Sequence, residues 1–215
     1  MYEEEIDEIN QITKKFYDIS PLKKIPEIKV AQLKESAKVD FTKHRITISE
    51  NELKKWKKGI SDVEDMEALL AHEYGHLIDL QRGLKSVLVK STIKQVLYLL
   101  AGGGLIGTAI FSSNSILSLF MVLAFFLWII IFPYFNGKCA ITAQLEADTN
   151  ASKLIGRERL GSAIIRRIRM PPMSMSIIGT WNRLRFILVV PLISERLKNL
   201  NLEVETIQAK FKNIS

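Results

Sequence analysis

The sequence predicts an α+β protein, mainly α, in which helices and a small antiparallel sheet are interrupted by a two-helix transmembrane hairpin. Three observations predict it. Apolar residues recur at helical spacing along most of the chain, residues 26–48 switch to alternation, and no residue from Gln95 to Gly137 is charged. These boundaries divide the chain into an N-terminal part (1–93), the hairpin (94–136) and a C-terminal part (137–215).

Composition agrees with such segregation. Of the 215 residues, 47% are hydrophobic and 25% are charged, so an apolar block sits within a charged body. The net charge is +7, and much of it lies in the last third, at Arg157, Arg159, Arg166, Arg167, Arg169, Arg183 and Arg185. With no nucleic-acid-binding motif or aromatic interleaving, a membrane surface bearing anionic lipids suits this charge better than nucleic acid. The plainer alternative is a solvated face. The single cysteine, Cys139, excludes an intrachain disulfide and reads as a small apolar residue. The acidic start Met1-Tyr2-Glu3-Glu4-Glu5 has no apolar stretch of the signal-peptide kind.

Residues 3–19 carry Ile6, Ile9, Ile12, Phe16 and Ile19 near helical spacing, with acids first and Lys14 and Lys15 late, as the helix dipole favours. Ser20-Pro21 ends this helix. Ile28 and Val30, Val39 and Phe41, and Ile46 and Ile48 then alternate with polar residues as three short strands, the last two joined by Thr42-Lys43-His44-Arg45. His44 reads as an exposed turn residue. Ser49 and Glu52 cap a short helix with Leu53 and Trp56 that runs to Gly59.

The run from Ser61 to Arg82 reads as one amphipathic helix, opened by Ser61 and Glu64 as a capping pair and stopped by Gly83. It contains His72-Glu73-Tyr74-Gly75-His76, and two of the chain's three histidines are in that pentad. One helical turn separates His72 from His76, so both imidazoles can reach one metal ion, and Glu73 stands beside it as a base for a bound water. Zn2+ suits two imidazoles, a third protein ligand and an open position for water. Asp79 reads either as an imidazole-orienting group or as an ordinary solvated aspartate.

As one straight helix, the uncharged stretch would extend about 65 Å, about twice the hydrocarbon thickness of a bilayer. Two spans, roughly 94–111 and 116–135, fit better, with Ser112-Ser113-Asn114-Ser115 as the turn. Gly103 and Gly107 form a small-xxx-small step for helix packing, and Tyr98, Trp128 and Tyr134 suit the interfaces. Lys85, Lys90 and Lys94 precede the hairpin, Lys138 follows it, and the turn is uncharged, so both ends belong in the cytoplasm. A helix from Ala140 to Leu154 follows, then a basic amphipathic helix from Arg157 to Arg169 broken by Met170-Pro171-Pro172-Met173. Residues 176–193 are apolar but interrupted by Arg183 and Arg185, and a polar-rich helix covers 192–213.

The order of these parts resembles the HtpX-like branch of the membrane zinc metalloendopeptidases, which includes the CAAX prenyl proteases. The likeness rests on Ala71 with the H-E-x-x-H pentad, the paired spans, and the run Gln144-Leu145-Glu146-Ala147-Asp148 with Lys153-Leu154-Ile155-Gly156 downstream. Pro191, Arg196 and Leu197 are similar to a shortened form of the family's tail motif, without its histidine. The resemblance covers roughly residues 26–200 and implies a zincin-like metallopeptidase domain split by the hairpin. It implies zinc held by His72, His76 and the residue four before Asp148, with Glu73 as general base.

That third-ligand position is a glutamate in the family and Gln144 here. Gln144 and Asp148 share a helix face, and Glu146 points about 200° away. Three readings follow: Gln144 ligates weakly, Glu146 reaches the metal from a rotated helix, or the site is inactive. A site built around Gln144, with Asp148 orienting a histidine, is favoured. The resemblance implies an endopeptidase cutting membrane proteins or peptides at the cytoplasmic face of the cell membrane. The alternative is a pseudoprotease, a membrane adaptor that binds peptides without cutting them. A site-2-type protease buries its pentad within a span, and Glu64, Asp65, Glu67, Asp79 and Arg82 argue against that here.

Overall fold

The computed structural model describes residues 2–168 and 193–202. Helix α1 (Glu3–Ile19) turns Ile9, Ile12 and Phe16 inward, as their spacing predicts. Three strands follow, β1 (Glu27–Ala31), β2 (Ala37–Asp40) and β3 (Arg45–Ser49), in the order β1-β3-β2. β2 pairs antiparallel with β3 through the tight turn at 41–44, where Asp40 Oδ1 accepts from Thr42 and Lys43 N–H and His44 adopts a φ of +49°. β1, however, runs parallel to β3, with Ile28 opposite Ile46. The sheet is therefore mixed, not antiparallel, because the segment between β1 and β2 carries the chain past β3 before the turn folds it back. Phe41, expected in a strand, lies in the turn.

Ser49 ends β3 and caps α2 (Glu50–Lys57), its Oγ accepting from Asn51 N–H at 3.2 Å. Helix α3 (Val63–Gln81) is capped by Asp62, one residue beyond the expected Ser61, with Oδ1 accepting from Asp65 N–H at 2.7 Å. Gly83 leaves α3 at a φ of +56°, the left-handed conformation in which glycine costs least. Around α3 lies the core: Ile9 and Phe16 of α1, Ile46 and Ile48 of the sheet, Leu53 of α2 and, from farther along the chain, Leu160. Phe16 meets the edge of Tyr74 with ring centroids 5.6 Å apart, and the buried Tyr74 hydroxyl donates to Thr13 O at 2.7 Å.

Helix α4 (Val87–Phe111) starts at a joint built by Asp79. This aspartate is 2% exposed and accepts from Ser86 Oγ–H and from the N–H groups of Val87 and Leu88, at 2.8–3.0 Å. It is neither solvated nor bonded to an imidazole: it caps the next helix. Asn114 caps α5 (Ser115–Ile155), with Oδ1 accepting from Ile116 and Leu117 N–H. Ser118 Oγ–H donates back to Ala109 O at 2.7 Å, closing the turn.

Among the described residues, α4 is the one helix long and apolar enough to cross a membrane, and only Ser91 and Gly102 on it are buried. Ser115–Ile129 is apolar but shorter. The second expected span and the helix expected from Ala140 are one continuous helix of 41 residues, so the division at 136 falls inside α5. A side chain at Gly103 or Gly107 would meet nothing within 4 Å; the close contact is at Gly102, where a Cβ would stand 2.7 Å from the Trp128 ring.

Helix α6 (Arg157–Ile168) begins after Gly156 (φ +86°), and a short α7 (Ile193–Asn199) packs Leu197 and, just beyond its end, Leu200 inward. Arg159 and Arg166 are not spent on solvent. Arg166 bridges Asp65 at 2.9 Å and Glu64 at 3.4 Å, and Arg159 bridges Glu67 at 3.0 Å, clasping α6 to the acidic start of α3. Residues 169–192, with the proline break, Arg183 and Arg185, and residues 203–215 lie outside the described residues.

Candidate metal centre

The pentad sits where α3 crosses α5. Ala143, Ala147 and Ala151 recur every fourth residue, all are buried, and they form a smooth stripe on α5. Opposite them is Gly75, where a Cβ would stand 2.2 Å from the Ala147 carbonyl oxygen. The backbones touch only because Gly75 has no side chain. Asn150 Nδ2–H donates to Gly75 O at 3.3 Å and its Oδ1 accepts from Arg82 Nη2–H at 2.9 Å, so polar bonds flank the crossing.

This approach brings Gln144 and Asp148, one turn apart on α5, against His72. Asp148 Oδ1 lies 2.8 Å from His72 Nδ1, and Gln144 Oε1 lies 2.7 Å from His72 Nε2. His76 stands edge-on to His72, with ring centroids 4.9 Å apart. Glu73 is 8% exposed and lines a cleft of about 220 Å³ together with His72. Glu146, the alternative third donor, points elsewhere: it pairs with Arg82 at the end of α3. His44 is remote from this group, its ring nitrogen bonded to Lys24 O at 2.8 Å.

The electrostatics fix charge states. Burial, then the neighbouring His72, holds the His76 imidazole down at about 3, so it is neutral at ordinary pH. Burial alone would raise the Asp148 carboxyl, but hydrogen bonds from Arg196 and His72 outweigh it and hold it at about 2. Arg196 grips Asp148 with two bonds, Nε–H to Oδ2 and Nη2–H to Oδ1, both 2.7 Å. Arg196 and Asn150 are the two residues of this network to which the sequence assigned no role. The tail resemblance drew attention to Arg196, whereas no local signal marks Asn150.

Do these residues fit a metal? Among the described residues, no three His, Cys, Asp or Glu side chains are grouped to hold one. The third donor is the amide of Gln144. Two donors sharing a tetrahedral zinc ion stand roughly 3.3 Å apart, so the 2.7 Å between His72 and Gln144 is a hydrogen-bond separation. The chemistry nevertheless fits. His76 is neutral, and His72 gives its Nδ1–H to a carboxylate, which turns Nε2 toward Gln144 and His76, as in a carboxylate-oriented ligand.

The cleft is also lined by Ser36 and Ala37 at the start of β2, by Leu160, Ala163 and Ile164 of α6, and by Arg196. β2 is an edge strand. Ser49 N–H donates to Ser36 O, so in the alternating antiparallel ladder Ala37 and Val39 direct their N–H and C=O groups to the outer edge, which pairs with no strand among the described residues. Comparison with protein families, with curated proteins and with solved structures returned no match for this chain.

Proposed function

We propose that the chain is a zinc-dependent endopeptidase of the membrane, of the HtpX-like, zincin type. The observation that carries this reading is the buried H-E-x-x-H face with Asp148 on His72 Nδ1 and Glu73 opening on a cleft beside a strand edge unpaired among the described residues. His72, His76 and the Gln144 amide would hold the ion. Bound zinc would supply Lewis-acid polarisation of a carbonyl and lower the pKa of a water. Glu73, which lines the cleft, would serve as the general base toward a water and hand the proton on to the leaving amine. An extended peptide pairs with Ala37 and Val39, and this mode of binding selects unfolded or extended segments.

The exposed apolar face of α4 supports residence in a bilayer, with α4 and the first half of α5 as two spans. Both ends of the hairpin, both chain termini and the active site are then cytoplasmic, by the lysines that flank it. Substrates are membrane proteins or peptides near the bilayer. The test is cleavage of an unfolded membrane-protein substrate by detergent-purified protein. Cleavage that stops with chelator and in Glu73→Gln is expected; full activity of that variant would sink the assignment.

One observation favours the adaptor reading: the third donor is a neutral amide, in hydrogen-bond contact with His72. Gln144→Glu separates the two. It should bind zinc at least about tenfold more tightly than the wild type, since a carboxylate adds the missing charge. Peptide binding with neither zinc nor cleavage in the wild type would establish the adaptor.

A further inference from the structure

The shell around Asp148 carries an inference that rests on this metal-site reading and goes beyond its ligand set. Asp148 is fully buried, and one of its oxygens, Oδ1, receives both His72 Nδ1–H and Arg196 Nη2–H. The other receives Arg196 Nε–H. A buried carboxylate with one partner is free to rotate about its bond to Cβ; one gripped by a planar fork is not. The plane of the Asp148 carboxylate is therefore set by Arg196, and the direction of its bond to His72 follows from that plane.

We infer that Arg196 is a positioning residue of the site: through Asp148 it fixes which nitrogen of His72 carries the proton and where the other one points. The residue comes from α7, far from the pentad in sequence. α7 does not need the arginine in order to dock. Leu197 is fully buried, Leu200 nearly so, and Asn199 Nδ2–H bonds reach Leu145 O and Thr149 Oγ1 on α5, each at 2.9 Å. Hydrophobic burial and the asparagine hold the helix, which leaves the guanidinium to hold the carboxylate. A purely structural role would have Arg196 serve as one more tie for α7. A positioning role has it act on His72 with α7 already tied down.

The two roles give different results in Arg196→Gln and Arg196→Lys. Zinc affinity is measured by competition with a chromophoric chelator on detergent-purified protein, alongside circular dichroism. In parallel, histidine-selective nitrogen NMR reads which His72 ring nitrogen bears the proton in zinc-free and zinc-loaded samples. With α7 docked and secondary structure unchanged, Arg196→Gln should weaken zinc about 10–100-fold, the range for losing a group behind a metal ligand. It should also give a mixture of His72 tautomers. Arg196→Lys, which keeps the charge and loses the fork, should lie between the two. Should Arg196→Gln fail to fold, the lysine variant carries the test.

Wild-type zinc affinity with an unmixed Nδ1–H tautomer in the folded variants would overturn the inference. If the wild type itself takes up no zinc, the metal reading falls. The tautomer measurement on the zinc-free protein then decides the role of Arg196 by itself.

Discussion

At its C-terminal end α5 meets α3 through three alanines and Gly75, backbone against backbone, with Gln144, Asp148 and Asn150 all bonded across the crossing. In its first half the same helix meets α4 through large side chains, with Trp128 over Gly102 and stacked between Phe125 and Phe132 at ring separations of 5.8 and 4.8 Å. The first contact is enclosed by protein; the second leaves Ile110, Phe111, Phe120 and Phe126 largely exposed. The difference lies in what each half must specify. The crossing with α3 has to fix atoms to within tenths of an ångström, so it uses the smallest residues and directional bonds. On the membrane reading, the hairpin has only to present apolar surface, and many arrangements of large side chains do that equally well.

Glycine substitutions break the comparison most sharply. Gly75→Ala drives a Cβ into the backbone of Ala147, which cannot give way without moving α5. The expected cost is about 3 kcal/mol, read as a fall of about 10 °C in Tm, with loss of the bonds from His72 to Gln144 and Asp148. Gly102→Ala meets only the Trp128 ring, which can turn, so about 1–2 kcal/mol is expected. Gly103→Ala points into open space and should fall within about 1 kcal/mol of wild type, toward greater stability. Equal effects at Gly75 and Gly103 in thermal unfolding would show that the two halves of α5 are not packed as described.

Acid should weaken the crossing through two buried groups. His76 is held neutral down to about 3 against an ordinary 6.5, so below pH 6.5 the unfolded chain takes up a proton that the folded chain refuses. Stability therefore falls with pH through this window, by about 2 kcal/mol at pH 5 in zinc-free protein. Asp148, held at about 2 against 3.8, adds a second loss as the pH falls from about 4 toward 2. Thermal scans from pH 7 to pH 4 check this; His76→Gln should flatten the upper part of the curve, and an unchanged curve would refute it.

A separate effect, confined to stability, belongs to the joint between α3 and α4. Asp79→Asn keeps the shape of the cap but loses its charge and part of its acceptor capacity, at about 1–2 kcal/mol. Zinc affinity should be unchanged, because Asp79 bonds to Ser86, Val87 and Leu88 and to no imidazole. A parallel fall in affinity would return Asp79 to the metal site.

Local chemistry was legible in the sequence. The α1 periodicity, the Ser49 cap, the turn before Asn114 and the stop at Gly83 each depend on residues within a turn or two of one another. The unread features depend on distant partners. Nothing near β1 says that it lies parallel to β3, since the turn at 41–44 determines only the pairing of β2 with β3. Asp79 reads as an imidazole-orienting group or a solvated aspartate because spacing on one helix is visible, whereas its bonds to the start of the next helix are not. The change from apolar to charged residues near Lys138 suggested a break, but polarity changes do not interrupt a helix when its backbone bonds continue. At the site, the pentad and the shared face of Gln144 and Asp148 could be read from spacing. Arg196 could not, being brought there by the burial of Leu197 and Leu200.

The continuity of α5 makes it a lever. Its pivot is the contact of Gly75 with Ala147, its long arm reaches back about 48 Å to Ser115, and its short arm to Gln144 is about 4.5 Å. A tilt of about 10° swings the far tip by about 8 Å and shifts Gln144 by about 0.8 Å, by the same helix rise. The gearing is about tenfold downward. Rocking of the apolar arm would thus reach His72 as a displacement of the same order as the one that separates a hydrogen bond from a pair of ligands on one ion.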